Sequence, residues 1–215
     1  MAENYKQLLD NELARIKMGG ITPRLLLHSC CAPCSSYVLQ YLSEYFEITI
    51  LYYNPNIYPL TEFDKRAGEQ LRLLELVDYV NPIELLVAEY NAEEFESAVQ
   101  GFTDEPEGGL RCDACFELRL NESARFAKLG GYDYFTTTLS VSPHKNAASL
   151  NRIGGELAER YGVPYLFSDF KKRDGYKRSI ALAAQYGLYR QDYCGCRYSL
   201  RGAKTDAGNL TRDVL

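Results

Sequence analysis

The chain has 215 residues, 46% of them hydrophobic and 25% charged, with a formal net charge of -5. Those proportions suit a globular protein of one α/β domain, and the acidic balance excludes a global basic field for nonspecific nucleic-acid binding while leaving room for a local basic patch. No apolar run approaches a membrane span and Met1 to Gln7 is charged, so no membrane partner and a cytoplasmic location are expected; seven cysteines, an odd count, do not form a disulfide framework there.

Residues 4 to 17 are predicted as an amphipathic helix, with Leu8, Leu9, Leu13 and Ile16 at helical spacing and Gly19-Gly20 as its stop. The apolar run Leu25-Leu26-Leu27-His28 is a first strand, and Pro33 opens a helix that continues through Tyr45. Between them lie Cys30, Cys31 and Cys34, three thiols at a strand-to-helix turn. In an open α/β sheet that turn faces the ligand crevice, and a helix amino terminus favours thiolate over thiol.

A second strand is predicted from Glu47 to Tyr53, followed by the stiff loop Asn54 to Pro59. Thr61-Glu62-Phe63-Asp64 has the form of a capping box opening a helix to about Val80. A short third strand near Glu84 to Ala88 precedes an acidic helix capped by Asn91. The polar loop Gly101 to Leu110 then delivers Arg111 and the pair Cys112 and Cys115 onto one face of a helix that stops at Gly130-Gly131.

Strand four is expected from Tyr134 to Thr138, the loop Ser140 to Lys145 carries His144, and a helix runs to Tyr161. Strand five, Pro164 to Phe167, leads to the basic stretch Lys171-Lys172-Arg173 and a last helix from Gly175 to Tyr186. Alternating strands and helices define a doubly wound, Rossmann-like parallel sheet of about five strands in a single domain over 1–215, with an N-terminal helix over 1–20 and a variable tail over 203–215.

All seven cysteines fall in three groups, and each group lies at or beyond a strand's carboxyl end. Two thiol pairs suffice for tetrahedral zinc or for an iron–sulfur cluster, and spacing alone does not choose. Position favours a redox cluster, because the pairs are about eighty residues apart at the ligand end of the sheet. Arg111, Arg119 and Arg197 sit beside the thiols and suit the charge of several thiolates. Cys194-Gly195-Cys196 is either a strained, easily reduced disulfide or, with Cys34, the donor set of a second metal ion. Around it Tyr189, Arg190, Tyr193, Arg197 and Tyr198 can stack on an extruded base and hold phosphate, as single-stranded RNA is read. His28 reads as a hydrogen-bonded core residue, and His144, next to Lys145, as the better candidate for touching substrate.

Five motifs in order carry a resemblance: His28-Ser29-Cys30-Cys31-Ala32-Pro33-Cys34, Tyr53 to Pro59, Arg111-Cys112 to Cys115, Thr137 to Lys145, and Tyr189-Arg190-Gln191 through Cys194-Gly195-Cys196. The chain resembles epoxyqueuosine reductases of the QueH type. The resemblance implies an adenine-nucleotide-hydrolase-like fold without the nucleotide loop, and an oxidoreductase of queuosine biosynthesis acting on tRNA that bears epoxyqueuosine at the wobble position, supplied by an unidentified reductant. It implies that Cys30, Cys31, Cys112 and Cys115 hold a 4Fe-4S cluster and that Cys194 and Cys196 are a redox-active pair. Some members have Asp at the position of Cys34, so a mononuclear iron held by Cys34, Cys194 and Cys196 is the alternative assignment. Asp192, Tyr193 and His144 are candidate proton donors, and His144, Lys145, Arg190, Arg197, Lys171, Lys172 and Arg173 candidate RNA contacts. The rival from another class is a zinc-stabilised, non-catalytic tRNA-binding module. A sulfur-transferring ATP enzyme would have Ser-Gly-Gly where this chain has His28-Ser29-Cys30-Cys31.

Overall fold

A computed structural model describes residues 3–200. Four parallel strands, β1 (Arg24–His28), β2 (Glu47–Tyr52), β3 (Ile83–Val87) and β4 (Tyr134–Thr137), stand in the order β3-β2-β1-β4. Their connections are the helices α2 (Ala32–Leu42), α3 (Leu60–Leu76), α4 (Ala92–Ala98) and α5 (Leu110–Leu129); α1 (Tyr5–Gly19) precedes them, and α6 (Ala147–Tyr161) and α7 (Gly175–Gln185) follow. Side chains alternate across a strand, so Leu25 and Leu27 enter one core and Leu26 the other.

The first core joins β1 and β2 to α1, α2 and α7 through residues such as Leu13, Val38, Leu42 and Ala183. The second joins β1 and β4 to α5 and α6 through Leu120, Phe135, Leu150 and Ile153. Because β1 is covered on both faces it reads as an unbroken apolar run, and each fully buried leucine contributes roughly 1.5–3 kcal/mol. β1 has β2 on one side and β4 on the other. The chain therefore reverses direction across the sheet at β1, which opens a crevice beyond its carboxyl end.

Two sequence expectations are corrected. The fifth strand is reduced to a single parallel bridge, Phe135 to Tyr165. Beyond it the backbone of Ser168 is taken by the Asn151 side chain of α6, whose Oδ1 accepts from Ser168 N at 2.9 Å and whose Nδ2 donates to Ser168 O at 2.8 Å. A side chain that satisfies both backbone groups removes the need for a ladder. The capping box at Thr61 does not form either: α3 begins at Leu60 after Pro59, without a side-chain cap, and ends at Leu76. Glu62 turns its carboxylate to Arg66 and Tyr189 instead. The expected tail over 203–215 lies outside the described residues.

Candidate active site

The first thiol group is built by chain continuity. β1 ends at His28, Cys31 is extended and precedes α2, and Pro33 occupies its first turn. His28 Nε2 donates to Tyr53 O at 3.1 Å, so its Nδ1 accepts from the Thr137 hydroxyl at 2.9 Å. Burial first, then the nearby Arg119, lowers its pKa to about 3, which keeps the ring neutral as a core residue. Beneath the turn, Ser29 and Ser35 share a hydrogen bond, and the Ser35 hydroxyl lies 2.8 Å from Gln70 Oε1. Asn54 Nδ2 donates to Ser29 O at 2.8 Å, tying the turn to the end of β2.

On this turn Cys30 Sγ lies 3.9 Å from Cys31 Sγ. The Cys30 thiol is pushed up by its bond to Cys31 and by burial. The bond from Cys30 lowers Cys31, but its bond to Cys34 and burial outweigh that and raise it to about 12. The helix terminus thus does not make thiolates here by itself. A positive partner has to be supplied, as a thiolate-bound metal would supply it.

The second and third groups meet across α5. Cys112 and Cys115 occupy its first turns, and Gly108 N points at Cys112 Sγ at 3.2 Å. Cys115 packs with Cys196, Phe95 and Val99. Cys112, Cys115, Cys194 and Cys196 line one small cavity together with Arg119 and Lys145. Arg119 is 2% exposed, donates to Cys115 O and Asn54 Oδ1, and lies within the field of Cys30, Cys112, Cys115 and Cys194. It is the cation common to the thiol groups, as its place beside the cysteines suggested.

Lys145, expected beside substrate, is also a buried partner of sulfur. It is 9% exposed, and its Nζ lies 2.9 Å from Cys194 Sγ and 3.3 Å from Glu107 Oε1. The hydrogen bond from Cys196, with the Lys145 and Arg119 charges, holds Cys194 well below the usual thiol range despite burial. Its neighbour Cys196 is correspondingly pushed up. Burial lowers Lys145, but the Cys194 thiolate and Glu107 outweigh it and keep the ammonium charged. All seven cysteines are free, so Cys194 and Cys196 stand as two thiols rather than a closed disulfide.

Beside the thiols opens a cavity of about 340 Å³. Cys30, Cys34 and Cys194 line it, and among the predicted site residues so do His144, Lys145, Arg190, Asp192 and Tyr193. The Tyr193 hydroxyl donates to Tyr58 O at 2.6 Å, which orients it away from a proton-donor role. Arg197 pairs with Glu96 at 2.6 Å and does not line the cavity. The basic stretch is partly paired: Lys171 meets Asp169 at 2.9 Å and Arg173 meets Asp10 at 2.7 Å, with Lys172 and Arg173 both exposed. Residue type alone marks Arg197, Lys171 and Arg173 as RNA contacts; Glu96 and Asp10, which pair with Arg197 and Arg173, are distant in sequence, and Asp169 lies two residues from Lys171.

Four functional positions carried no sequence signal strong enough to single them out. Arg66 and Gln70 lie on the buried face of α3, and Glu62 with Arg66 at i, i+4 looks like an ordinary surface pair. Gln191 lines the cavity with a buried, unpartnered side-chain oxygen, and Glu107 lines it from a polar loop. Among the described residues no three His, Cys, Asp or Glu groups converge on one point. Closing the thiols around a centre therefore takes side-chain rotation, while the donor set itself, soft sulfur with buried cations, suits iron–sulfur or zinc.

Fold and site together define a class: an α/β protein with a cysteine-lined pocket at the switch point of its parallel sheet, where a lysine-paired thiol faces the cavity. The family model described as "Epoxyqueuosine reductase QueH" matches residues 25–202. Proteins of that name from Staphylococcus epidermidis and Streptococcus pyogenes are 41% and 37% identical to the chain, each over 98% of it and over 90% and 84% of their own lengths. One from Thermotoga maritima is 36% identical over 87% of this chain and 96% of its own. The chain belongs to the epoxyqueuosine reductase QueH family, a family of oxidoreductases.

Proposed function

We propose that the chain is an iron–sulfur enzyme that converts epoxyqueuosine to queuosine at the wobble position of tRNA. The observation that carries this is that Cys194, paired with Lys145, lines both the cavity it shares with Cys30 and Cys34 and the one it shares with Cys112, Cys115 and Arg119. Cys30, Cys31, Cys112 and Cys115 would hold the 4Fe-4S cluster, which supplies electrons one at a time when bound. The raised thiols of Cys30, Cys31 and Cys115 fit that assignment, since they need a cation to ionise.

Cys194 and Cys196 are the redox pair. Loss of the epoxide oxygen as water leaves an alkene and consumes two electrons and two protons; a thiolate–thiol pair becoming a disulfide releases both electrons and one proton, and solvent entering the cavity supplies the second proton. An external reductant then restores the dithiol. Lys145 holds Cys194 as the reactive thiolate, and Asp192 and His144 line the cavity where the oxygen takes its protons. Arg190 at the cavity wall is placed for a phosphate of the anticodon, and Lys172 and Arg173 outside it are exposed cations of the basic stretch. The mononuclear-iron alternative rests on Cys34 and Cys194 lining the same cavity. A cytoplasmic setting goes with a tRNA substrate.

Anaerobic purification with iron, sulfide and zinc quantified, followed by turnover of epoxyqueuosine-containing tRNA, tests this. Iron and sulfide at about four each are expected, with iron in excess of sulfide marking the mononuclear site. Cys112→Ser should lose cluster and turnover together, whereas Cys196→Ser should keep the cluster absorbance and lose turnover. Zinc alone that persists after cluster reconstitution would leave the non-catalytic tRNA-binding module instead.

A further inference from the structure

One face of α3 carries the chain that leads into Cys194 and Cys196. Arg72 donates to the carbonyls of Tyr186 and Gly187, and Glu69 accepts from Tyr189 N at 2.8 Å. Glu62 accepts the Tyr189 hydroxyl at 3.1 Å, and Lys65 Nζ stands 3.3 Å from the centre of that ring. The series ends at Arg66. Its side chain is 1% exposed, its Nε donates to Glu62 at 2.7 Å, and its two terminal nitrogens lie 3.5 Å from Tyr193 O and 3.4 Å from Cys194 O. Its guanidinium also sits over the Tyr193 ring, 5.1 Å from the centre.

We propose that Arg66 is a positioning residue for the Cys194-Gly195-Cys196 turn, holding two consecutive carbonyls from α3 so that Cys194 stays against Lys145 and the cavity wall stays in place. A planar fork with several donors holds both consecutive carbonyls at once, whereas a lysine ammonium keeps the charge and reaches one of them. Gly195 fits the same purpose. Its φ is +120°, and a Cβ there would lie 3.1 Å from Arg66 Nη1 and 3.2 Å from Ile57 Cγ1. Its carbonyl accepts from Tyr58 N at 2.9 Å, closing the turn onto the loop after β2. The carboxyl flank is held separately, by Glu96 on Arg197 and on the Tyr198 hydroxyl. Tyr193 and Cys194, whose carbonyls Arg66 holds, both line the cavity, so one guanidinium sets both the start of the thiol turn and the wall that substrate would meet.

This inference rests on Cys194 and Cys196 being the working thiols, and its test has a readout independent of turnover. Hydrogen exchange of the anaerobically purified enzyme should show Tyr58 and residues 189–196 exchanging at least about tenfold faster in Arg66→Gln, with iron and sulfide content equal to the parent's. Turnover should lose about a hundredfold in kcat with KM within about threefold, and Arg66→Lys should recover a substantial part. Gly195→Ala, which leaves Arg66 in place but crowds its guanidinium, should reproduce the exchange signature and serves if the Gln variant fails to fold. Unchanged exchange in both variants overturns the inference, as does a joint loss of metal and activity that Lys does not relieve. Faster exchange in the variants, with a parent enzyme that never turns over the tRNA, would instead retire the function and keep the positioning role.

Discussion

The two cysteine regions that face each other across the pocket are made in opposite ways. Cys30, Cys31 and Cys34 lie where a buried strand becomes a helix, so their placement follows from backbone connectivity, with Ser29, Ser35 and Gln70 packed beneath. Cys194 and Cys196 lie in a segment without helix or strand and are held by side chains from α3, α4 and the loop before α6. A site built on chain continuity tolerates the loss of a single side chain. One built on a few long side chains depends on each of them.

The largest contrast is expected at Lys145. Lys145→Met removes the ammonium from a buried thiolate and should lower kcat about a hundredfold, close to 2.7 kcal/mol. The rate of iodoacetamide labelling at Cys194, followed against pH, should move its midpoint upward, and Lys145→Arg should keep it nearer the parent's. An unmoved midpoint would mean that the loop, not the lysine, makes the thiolate.

A smaller effect probes the floor of the first region by pH. His28 has a folded pKa of about 3, against about 6.5 in the unfolded chain, so the unfolded state takes up the proton first. Its stability contribution is therefore complete above pH 6.5 and is lost as pH falls towards 3. At pH 5 the loss is about 2 kcal/mol relative to pH 7. Denaturant midpoints of the parent and His28→Gln at the two pH values measure it as the difference in slope.

The smallest is Ser29→Ala. It removes one member of a buried hydroxyl network and should cost about 1 kcal/mol in a urea titration, with labelling of Cys194 unaltered. A change in Cys194 chemistry from so local a deletion would break the contrast between the regions.

These differences also explain what could be read in advance. The strand-to-helix turn, the placement of Cys112 and Cys115 one helical turn apart and the core role of His28 follow from periodicity and local chemistry. The partners of Lys145 and Arg197 could not be read from residue type, because what a long cation touches depends on segments brought together by folding; Glu107 lies 38 residues from Lys145 and Glu96 lies 101 from Arg197. The fifth strand failed for a related reason, since Asn151 competes for backbone groups that the pattern assigned to a ladder.

By itself, the sequence determined a parallel α/β chain with its thiols gathered at the carboxyl ends of the strands, because apolar period and turn chemistry act over a few residues at a time. Only the tertiary structure decided which cations those thiols meet, that Arg66 and Lys145 hold the last pair, and that part of the basic stretch is engaged in internal ion pairs. Burial and charge pairing are properties of neighbours in space, and the order of residues along a chain does not contain them until the core has closed.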